Sequence, residues 1–275
     1  MPWTGSTESR RLPQMTENMK LTPEQRREMD RHYHDVIGGE YDQVILDPRQ
    51  TASDILFSGH RQHLPRSGRM LDIGCGTGQA ICRFAAAPAQ FGHITAVDHS
   101  TGMLAAAHRN VEAAGVSGVD FVQADVLEWL NDSEVQPCDL ITAIGFLHHL
   151  DDEQIRTVVG QLSKRLSADG RLLIADPLDP AGKPEPAAIQ AWNRRSLAVQ
   201  RGYTEEPEEP DERPIPASLM NEAFSSAGLE VLHHSSSWEI FNHSSNPGLI
   251  ERLRIRYLYR AGGAGIVNAW TLARR

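Results

Sequence analysis

Cysteine is scarce in this chain: only Cys75, Cys82 and Cys138 occur in 275 residues. Their separations fit no metal-binding pattern, and nothing about them requires an oxidising compartment. Cys75 falls in a glycine-rich turn and reads as a small filler there; the other two read as core residues. Also missing is any apolar run approaching about 18 residues, the length at which a stretch begins to read as a membrane-spanning helix. No secretory leader pattern is visible either, so the expectation is a soluble, cytoplasmic protein with no membrane partner. Positive charge is in short supply as well: 27 Lys and Arg face 36 Asp and Glu, a net charge of −9. Phosphate polymers and anionic lipid surfaces call for a positive field, so nucleic acid is not expected as a partner. There is no internal repeat. What is present, 40% apolar and 23% charged residues, is ordinary globular composition over a length suited to one large domain or one domain with a cap.

The chain is organised around Arg69-Met-Leu-Asp-Ile-Gly-Cys-Gly-Thr-Gly78. Met70 to Ile73 is a short buried strand carrying an acid, Asp72, and it runs straight into the glycine turn. Gln79 to Ala87 then reads as a helix. Glycine suits such a turn because, lacking Cβ, it adopts positive φ and lets a ligand lie against the backbone. The unpaired N–H groups of the helix start lie just beyond. A dinucleotide site has the spacing G-x-G-x-x-G. Here Gly74, Gly76 and Gly78 are spaced G-x-G-x-G, and the acid lies within the strand.

This combination closely resembles the first motif of class I S-adenosylmethionine-dependent methyltransferases of the small-molecule type. Further stretches follow in that family's order. Gly92 to Asp98 is an apolar run ending in an acid, 20 residues beyond Gly78. His99-Ser-Thr-Gly-Met-Leu104 follows, then Val119 to Asp125, a third strand ending in an acid, and Asp139 to Leu150, a fourth strand with its loop. The resemblance implies cofactor roles for particular residues. Asp72 and the Gly74-Cys75-Gly76-Thr77 turn would face the methionyl part, and Asp98, followed by His99, would accept the ribose hydroxyls. Met103 would cover the adenine, Asp125 and the Val126 N–H would read its edge, and the Ile144 carbonyl would face the cofactor's ammonium. The implied fold is α/β, a Rossmann-like, seven-stranded, mostly parallel sheet with helices on both faces and the last strand antiparallel.

Residues 1 to about 17 are polar and without periodicity, which predicts mobility. Thr22, Pro23 and Gln25 then form the signature of a helix start with a capping box. Gly38-Gly39 ends that helix and reads as a hinge. Glu40-Tyr-Asp42 follows at once, and the segment resembles the family's lead-in that folds over the cofactor. Residues 1–45 are therefore expected to be a mobile terminus plus a helical lid, with Tyr41 at the cofactor and Tyr33 near the reacting centre. Residues 46–275 are expected to form the cofactor-binding domain. Thr51 to Leu64 reads as a helix and Ser100 to Ala114 as another. Asp151 or Asp152 caps a third, which Asp169-Gly170 closes before a strand from Arg171 to Ala175. Prolines and acids crowd residues 177–215, where the family commonly carries an insertion shaping the acceptor pocket; a helix fits at 187–201. A short helix from Ala217 to Ala227 comes next. Strands near Leu229 and Ser237, a helix from Leu249 to Arg260 and a strand from Ile266 to Leu272 complete the pattern.

Candidate catalytic residues are His148, His149 and Asp176, with Tyr33 from the lid. A histidine at the mouth of an open α/β sheet is placed to take a proton from an acceptor O–H or N–H. For each of the pair, capping the next helix or packing is the equal alternative. No metal is expected: His32-x-His34 points to two faces of a helix, and His233-His234 sits in a strand. The expectation is methyl transfer from S-adenosylmethionine to a small molecule in biosynthetic or secondary metabolism, with oxygen, nitrogen and carbon acceptors and the oligomeric state left open. Two other readings share the same cofactor residues. One is an enzyme that consumes the cofactor without methyl transfer, by intramolecular attack releasing methylthioadenosine. The other is a non-catalytic binding protein. Under all three, calorimetric titration is expected to show binding of S-adenosylmethionine and none of NAD. Asp98→Ala should weaken that binding at least roughly tenfold, the equivalent of about 1.4 kcal/mol.

Overall fold

The structure is a computed structural model that describes residues 22–46, 50–86, 89–132, 136–179, 215–237 and 266–275. Five parallel strands alternate with helices: β1 (Ser67–Ile73), α3 (Gln79–Phe84), β2 (Gln90–Asp98), α4 (Thr101–Ala113), β3 (Val119–Gln123), α5 (Val126–Asp132), β4 (Cys138–Ile144), α6 (Asp152–Lys164) and β5 (Leu166–Asp179). They are preceded by α1 (Pro23–Ile37) and α2 (Gln50–Phe57). Following them are β6 (Ile215–Pro216), α7 (Ala217–Ser226), β7 (Leu229–Ser237) and β8 (Ile266–Arg274). The sheet order is β3-β2-β1-β4-β5-β8-β7, with β6 also beside β5. β8 runs antiparallel to both of its neighbours. The chain moves outward from β1 to β2 and β3, then returns to place β4 on β1's other side. That reversal opens a crevice at the carboxyl ends of β1 and β4, the usual ligand position in such sheets.

The central strands are mostly apolar because both faces are covered. Alternate residues serve opposite faces. Leu71, Ile73, Ile141, Ala143, Leu172 and Ile174 pack beneath Ile155, Val158, Val159 and Leu162 of α6 and Leu219, Met220 and Phe224 of α7. Met70, Leu140, Leu173 and Ala175 pack on the other side against Leu56, Phe57, Ile81, Phe84 and Val111. Asp151 is the cap of α6: its side chain accepts from the Gln154 N–H at 2.8 Å while Gln154 accepts from the Asp151 N–H at 3.0 Å.

The sheet departs from the seven-strand expectation by the two-residue β6. Strand five is also longer than Arg171 to Ala175: Leu166 already pairs with Cys138, and pairing with β8 continues through Leu178. Hence α6 ends at Lys164, and Pro177 to Asp179 belong to the sheet rather than to the insertion. Leu178 and Asp179 pair with Ile215 and Pro216, so both ends of the intervening segment are held in register. The helix expected over 51–64 is instead α2 and a separate 3-10 turn at Arg61–His63. The expected mobile terminus, the helices at 187–201 and 249–260 and the strand at 238–241 lie outside the described residues.

The break after α2 has a cause. His60 is fully buried, with Nδ1 2.7 Å from Thr271 Oγ1 and Nε2 2.8 Å from Ser235 Oγ. Ser235 donates its own proton to the Leu56 carbonyl at 2.7 Å. It must therefore accept from His60 Nε2–H, which leaves Nδ1 to accept from Thr271. This arrangement suits the neutral ring. Burial, reinforced by the neighbouring His233, His63 and His234, lowers its pKa from 6.5 to about 4. A depressed histidine contributes stability above the unfolded pKa and loses it as pH falls through the folded one. Urea midpoints should therefore drop between pH 6.5 and pH 4, by the equivalent of about 2–3 kcal/mol from this residue. His60→Gln should lose stability at neutral pH and show a much flatter acid slope, read from urea titrations across that range.

Candidate functional site

The glycine turn is held open by backbone geometry. Gly74, Gly76 and Gly78 have φ of 62°, 51° and 79°, values that side chains with a Cβ rarely adopt. Among the described residues nothing lies within 4 Å of where a Gly76 Cβ would stand, whereas one on Gly74 would strike the Phe146 ring at 2.6 Å. Gly78 caps α3 in the left-handed conformation. Cys75 is buried, and its thiol pKa is raised well above the ordinary value, chiefly by burial. It fills space in the turn, as its sequence context suggested.

Two acids lie beneath the turn. Asp98 ends β2; its Oδ2 accepts from the Gly76 N–H and its Oδ1 from the Ser100 N–H, at 2.8 and 2.9 Å. Asp72 is buried in β1, where Thr142 Oγ1 donates to its Oδ1 at 2.5 Å. Its Oδ2 is buried with no hydrogen-bond partner among the described residues. Burial raises the Asp72 pKa to about 7, and the nearby Asp98 adds to the effect. An orphaned carboxylate oxygen in the strand that feeds the glycine turn suits a ligand that carries a hydrogen-bond donor or a cation.

Helix α1 crosses these strand ends. Thr22 caps it, with Gln25 Oε1 accepting from the Thr22 N–H at 2.9 Å and Thr22 Oγ1 accepting in return. Its Asp35 Oδ1 accepts from Ser100 Oγ at 2.8 Å, Thr101 Oγ1 at 3.0 Å and the Gly102 N–H at 3.1 Å. Asp35 thus caps α4 from another helix, alongside Ser100, which caps it from within at 3.1 Å to the Met103 N–H. The two backbones meet closely: a Cβ on Gly38 would lie 2.4 Å from the Gly102 carbonyl carbon, and one on Gly102 would lie 2.3 Å from the Asp35 oxygen. Gly38 is helical, with φ −49°. Close packing against α4 requires it, rather than the hinge the sequence suggested. Beyond the helix, Asp42 accepts from Thr77 Oγ1 at 2.6 Å, Asn110 Nδ2 at 2.6 Å and Gln79 Nε2 at 3.1 Å. That contact ties the lid segment to the glycine turn.

Histidines gather where α1 passes β2 and β4. Asp30 Oδ1 lies 3.2 Å from His34 Nδ1 and 3.6 Å from His149 Nδ1, and Asp30 Oδ2 lies 3.4 Å from His99 Nε2. Burial would lower the His34 pKa, but the Asp30 charge and hydrogen bond, with help from Asp98, raise it to about 9. The same histidines hold the Asp30 carboxyl far below its ordinary range against the opposing effect of burial. Tyr33 and Tyr41 flank this group, with ring centroids 5.0 and 6.1 Å from His34.

His148 stands 2.7 Å by Nδ1 from Asp176 Oδ1, and Asp176 is fully buried at the end of β5. Asp176 also accepts the Leu147 and His148 N–H groups, at 3.2 and 3.3 Å. The His148 and His149 rings lie 4.1 Å apart. Asp125 Oδ1 accepts from the Leu127 and Glu128 N–H groups at 2.8 and 3.2 Å, so it caps α5. Val126 and Met103 are buried, and Ile144 is half-buried at the end of β4.

Residues 70–170 match a family model described as a methyltransferase domain. Over those residues the chain carries a methyltransferase domain. One curated relative of this domain is the O-methyltransferase rstn1 of Aspergillus nomiae, 32% identical over 137 residues, 49% of this chain and 58% of that protein. The chain spans about half the length of the curated relatives it matches. Among solved structures, a methyltransferase from Geobacter sulfurreducens with S-adenosylhomocysteine bound aligns at TM-score 0.57 and 16% identity, over 89% of this chain and 98% of that one. The [4+2]-cyclase SpnF aligns at TM-score 0.60 and 17% identity, over 92% and 96%. At these identities the likeness establishes the methyltransferase fold.

S-adenosylhomocysteine is bound in the Geobacter structure, and the residues present here fit its methylated parent, S-adenosylmethionine. Its ammonium would match the orphaned Asp72 oxygen, and the turn around Gly76 leaves room for a ligand against the backbone. Each Asp98 oxygen accepts one N–H in the structure and keeps a second lone pair. Four residues of the site were not singled out from the sequence: Asp30, Asp35, Asp42 and Asn110. Asp30 and His34 did carry a signal, being four apart on one helix face. Asp42 directly follows Tyr41, but its reach to Thr77 comes from the fold alone. Removing the Asp35 carboxylate should free three donors at the start of α4 and loosen α1. In Asp35→Ala, amide hydrogen exchange over residues 30–38 should accelerate roughly tenfold or more while β1 and β4 keep their protection. Unchanged exchange would show that α1 is held elsewhere.

Proposed function

We propose that the protein is an S-adenosylmethionine-dependent methyltransferase acting on a small-molecule acceptor in biosynthetic or secondary metabolism. On this reading residues 1–45 cover the site and residues 46–275 form the domain beneath, with the segment after β5 shaping the acceptor pocket. Asp72, the Gly74–Gly78 turn, Asp98, His99, Met103, Asp125, Val126 and Ile144 hold the cofactor, and Tyr41 closes over it. When bound, S-adenosylmethionine supplies an electrophilic methyl group on a sulfonium.

The observation that carries the proposal is the His148–Asp176 pair, one strand over from the glycine turn. Because Asp176 accepts from Nδ1, the neutral imidazole has its second nitrogen, Nε2, as the proton acceptor. Two backbone N–H groups hold Asp176 in place, so the ring orientation is set before any acceptor arrives. His148 is then the base for an acceptor hydroxyl, and the name of the Aspergillus relative supports oxygen as the acceptor atom. Tyr33, with His149, borders the same cleft from above. It excludes water and presents an aromatic face, which attracts a sulfonium by about 0.5–2 kcal/mol.

A second reading has one observation in its favour: the likeness to a protein named a [4+2]-cyclase, which supports chemistry other than methyl transfer on this fold. The two readings part in a single assay. Purified protein incubated with S-adenosylmethionine and a panel of small phenols and hydroxy acids is analysed by mass spectrometry. Adenosylhomocysteine with a methylated acceptor is the expected outcome. Methylthioadenosine without acceptor would establish cofactor cleavage instead, and full cofactor binding without turnover would support the non-catalytic reading. His148→Gln should lower kcat by about 10²-fold or more, in keeping with loss of a general base, and leave the KM for S-adenosylmethionine nearly unchanged.

A further inference from the structure

We propose that Asp30, His34 and His99 form a binding site for one divalent cation of the zinc class, which water would complete. One ligand atom from each of the first three lies within 4.8 Å of the others. The separations from the Asp30 carboxylate are 3.2 Å to His34 Nδ1, 3.4 Å to His99 Nε2 and 3.6 Å to His149 Nδ1. A tetrahedral zinc ion with bonds of about 2.0–2.1 Å sets its ligands roughly 3.3 Å apart. The His34 and His99 nitrogens therefore each stand near that spacing from an Asp30 oxygen before any ion arrives, and within 4.8 Å of each other. Imidazole with one carboxylate is the donor set of zinc and its neighbours, and unlike the all-oxygen sets that suit magnesium or calcium.

The ligands come from two separate places in the chain. Asp30 and His34 share one face of α1 at helical spacing, and His99 follows β2; His149, after β4, lies beside them at 3.6 Å from Asp30 Oδ1. His34 Nδ1 also lies 2.9 Å from the Asp30 carbonyl oxygen, a contact that a bound ion would replace. The side chains are 13% to 29% exposed, which leaves a path for entry. A cation there would join α1 to the loop after β2, at the point where the helix crosses the strand ends. The ion would fasten the covering helix to the sheet.

The test uses the full-length chain freed of metal with EDTA and titrated with zinc chloride, followed by native mass spectrometry and calorimetry. One ion per chain at micromolar or tighter affinity is expected, with slower hydrogen exchange over residues 30–38. Cobalt(II) in place of zinc should give visible absorption bands. His99→Gln and Asp30→Asn should each weaken zinc at least tenfold. His63→Gln and His233→Gln, in the separate histidine group beside His60, should leave it unchanged. Should a ligand variant fail to fold, histidine-selective NMR of the wild-type chain decides the matter: zinc must perturb His34 and His99. No stoichiometric binding overturns the site. So does binding that survives both ligand variants, is lost in the His63 or His233 variant, or perturbs other histidines alone.

Discussion

One carboxylate joins the two turns on which the site is built. Asp98 closes β2, and each of its oxygens accepts a backbone N–H, one from Gly76 and one from Ser100. The glycine turn after β1 and the helix start after β2 therefore share a buried anchor. Charged acceptors of this kind make stronger bonds than neutral ones, and removing one would leave two buried donors unsatisfied. Gly76 can present its N–H only because it sits at positive φ, so the glycine spacing and the strand-end acid work as a single device.

Negative charge is concentrated around that anchor. Asp72, Asp98, Asp30, Asp35 and Asp42 all lie where strand ends, the glycine turn and α1 meet, and the chain offsets them in different ways. Asp35 and Asp42 have only neutral hydrogen-bond donors from α4 and the glycine turn around them, apart from the Arg31 contact to Asp35 at 3.3 Å. Asp30 is offset by histidines, and Asp72 by partial protonation near neutral pH. A crevice with this balance favours a cationic ligand, in keeping with a sulfonium cofactor.

The parts of this arrangement that depend on neighbours along the chain were legible in the sequence. The glycine turn, the strand-ending acids and the caps at Thr22 and Asp151 all follow from local spacing, and the alternation of strands and helices follows from period. Parts that depend on encounters across the fold were not. His60 ends a helix because it reaches hydroxyls 175 and 211 residues away, and no local pattern foretells that. Gly38 reads as a hinge until Gly102 is placed against it. The sequence reading rejected His32 and His34 as a metal pair because they face apart, and it did not reach Asp30 and His99, which α1 brings together only by crossing β2.

The short pairing of Leu178 and Asp179 with Ile215 and Pro216 bears on how such a protein diversifies. The chain leaves the sheet at Asp179 and rejoins it at Ile215 on the adjacent strand, so these two points are fixed against each other by the pairing. The entropic cost of closing a loop rises only logarithmically with its length. A change in the number of residues between those two points therefore costs the sheet little. The length between them is free to vary without reopening the folding problem of the sheet, much as a tool holder accepts different bits.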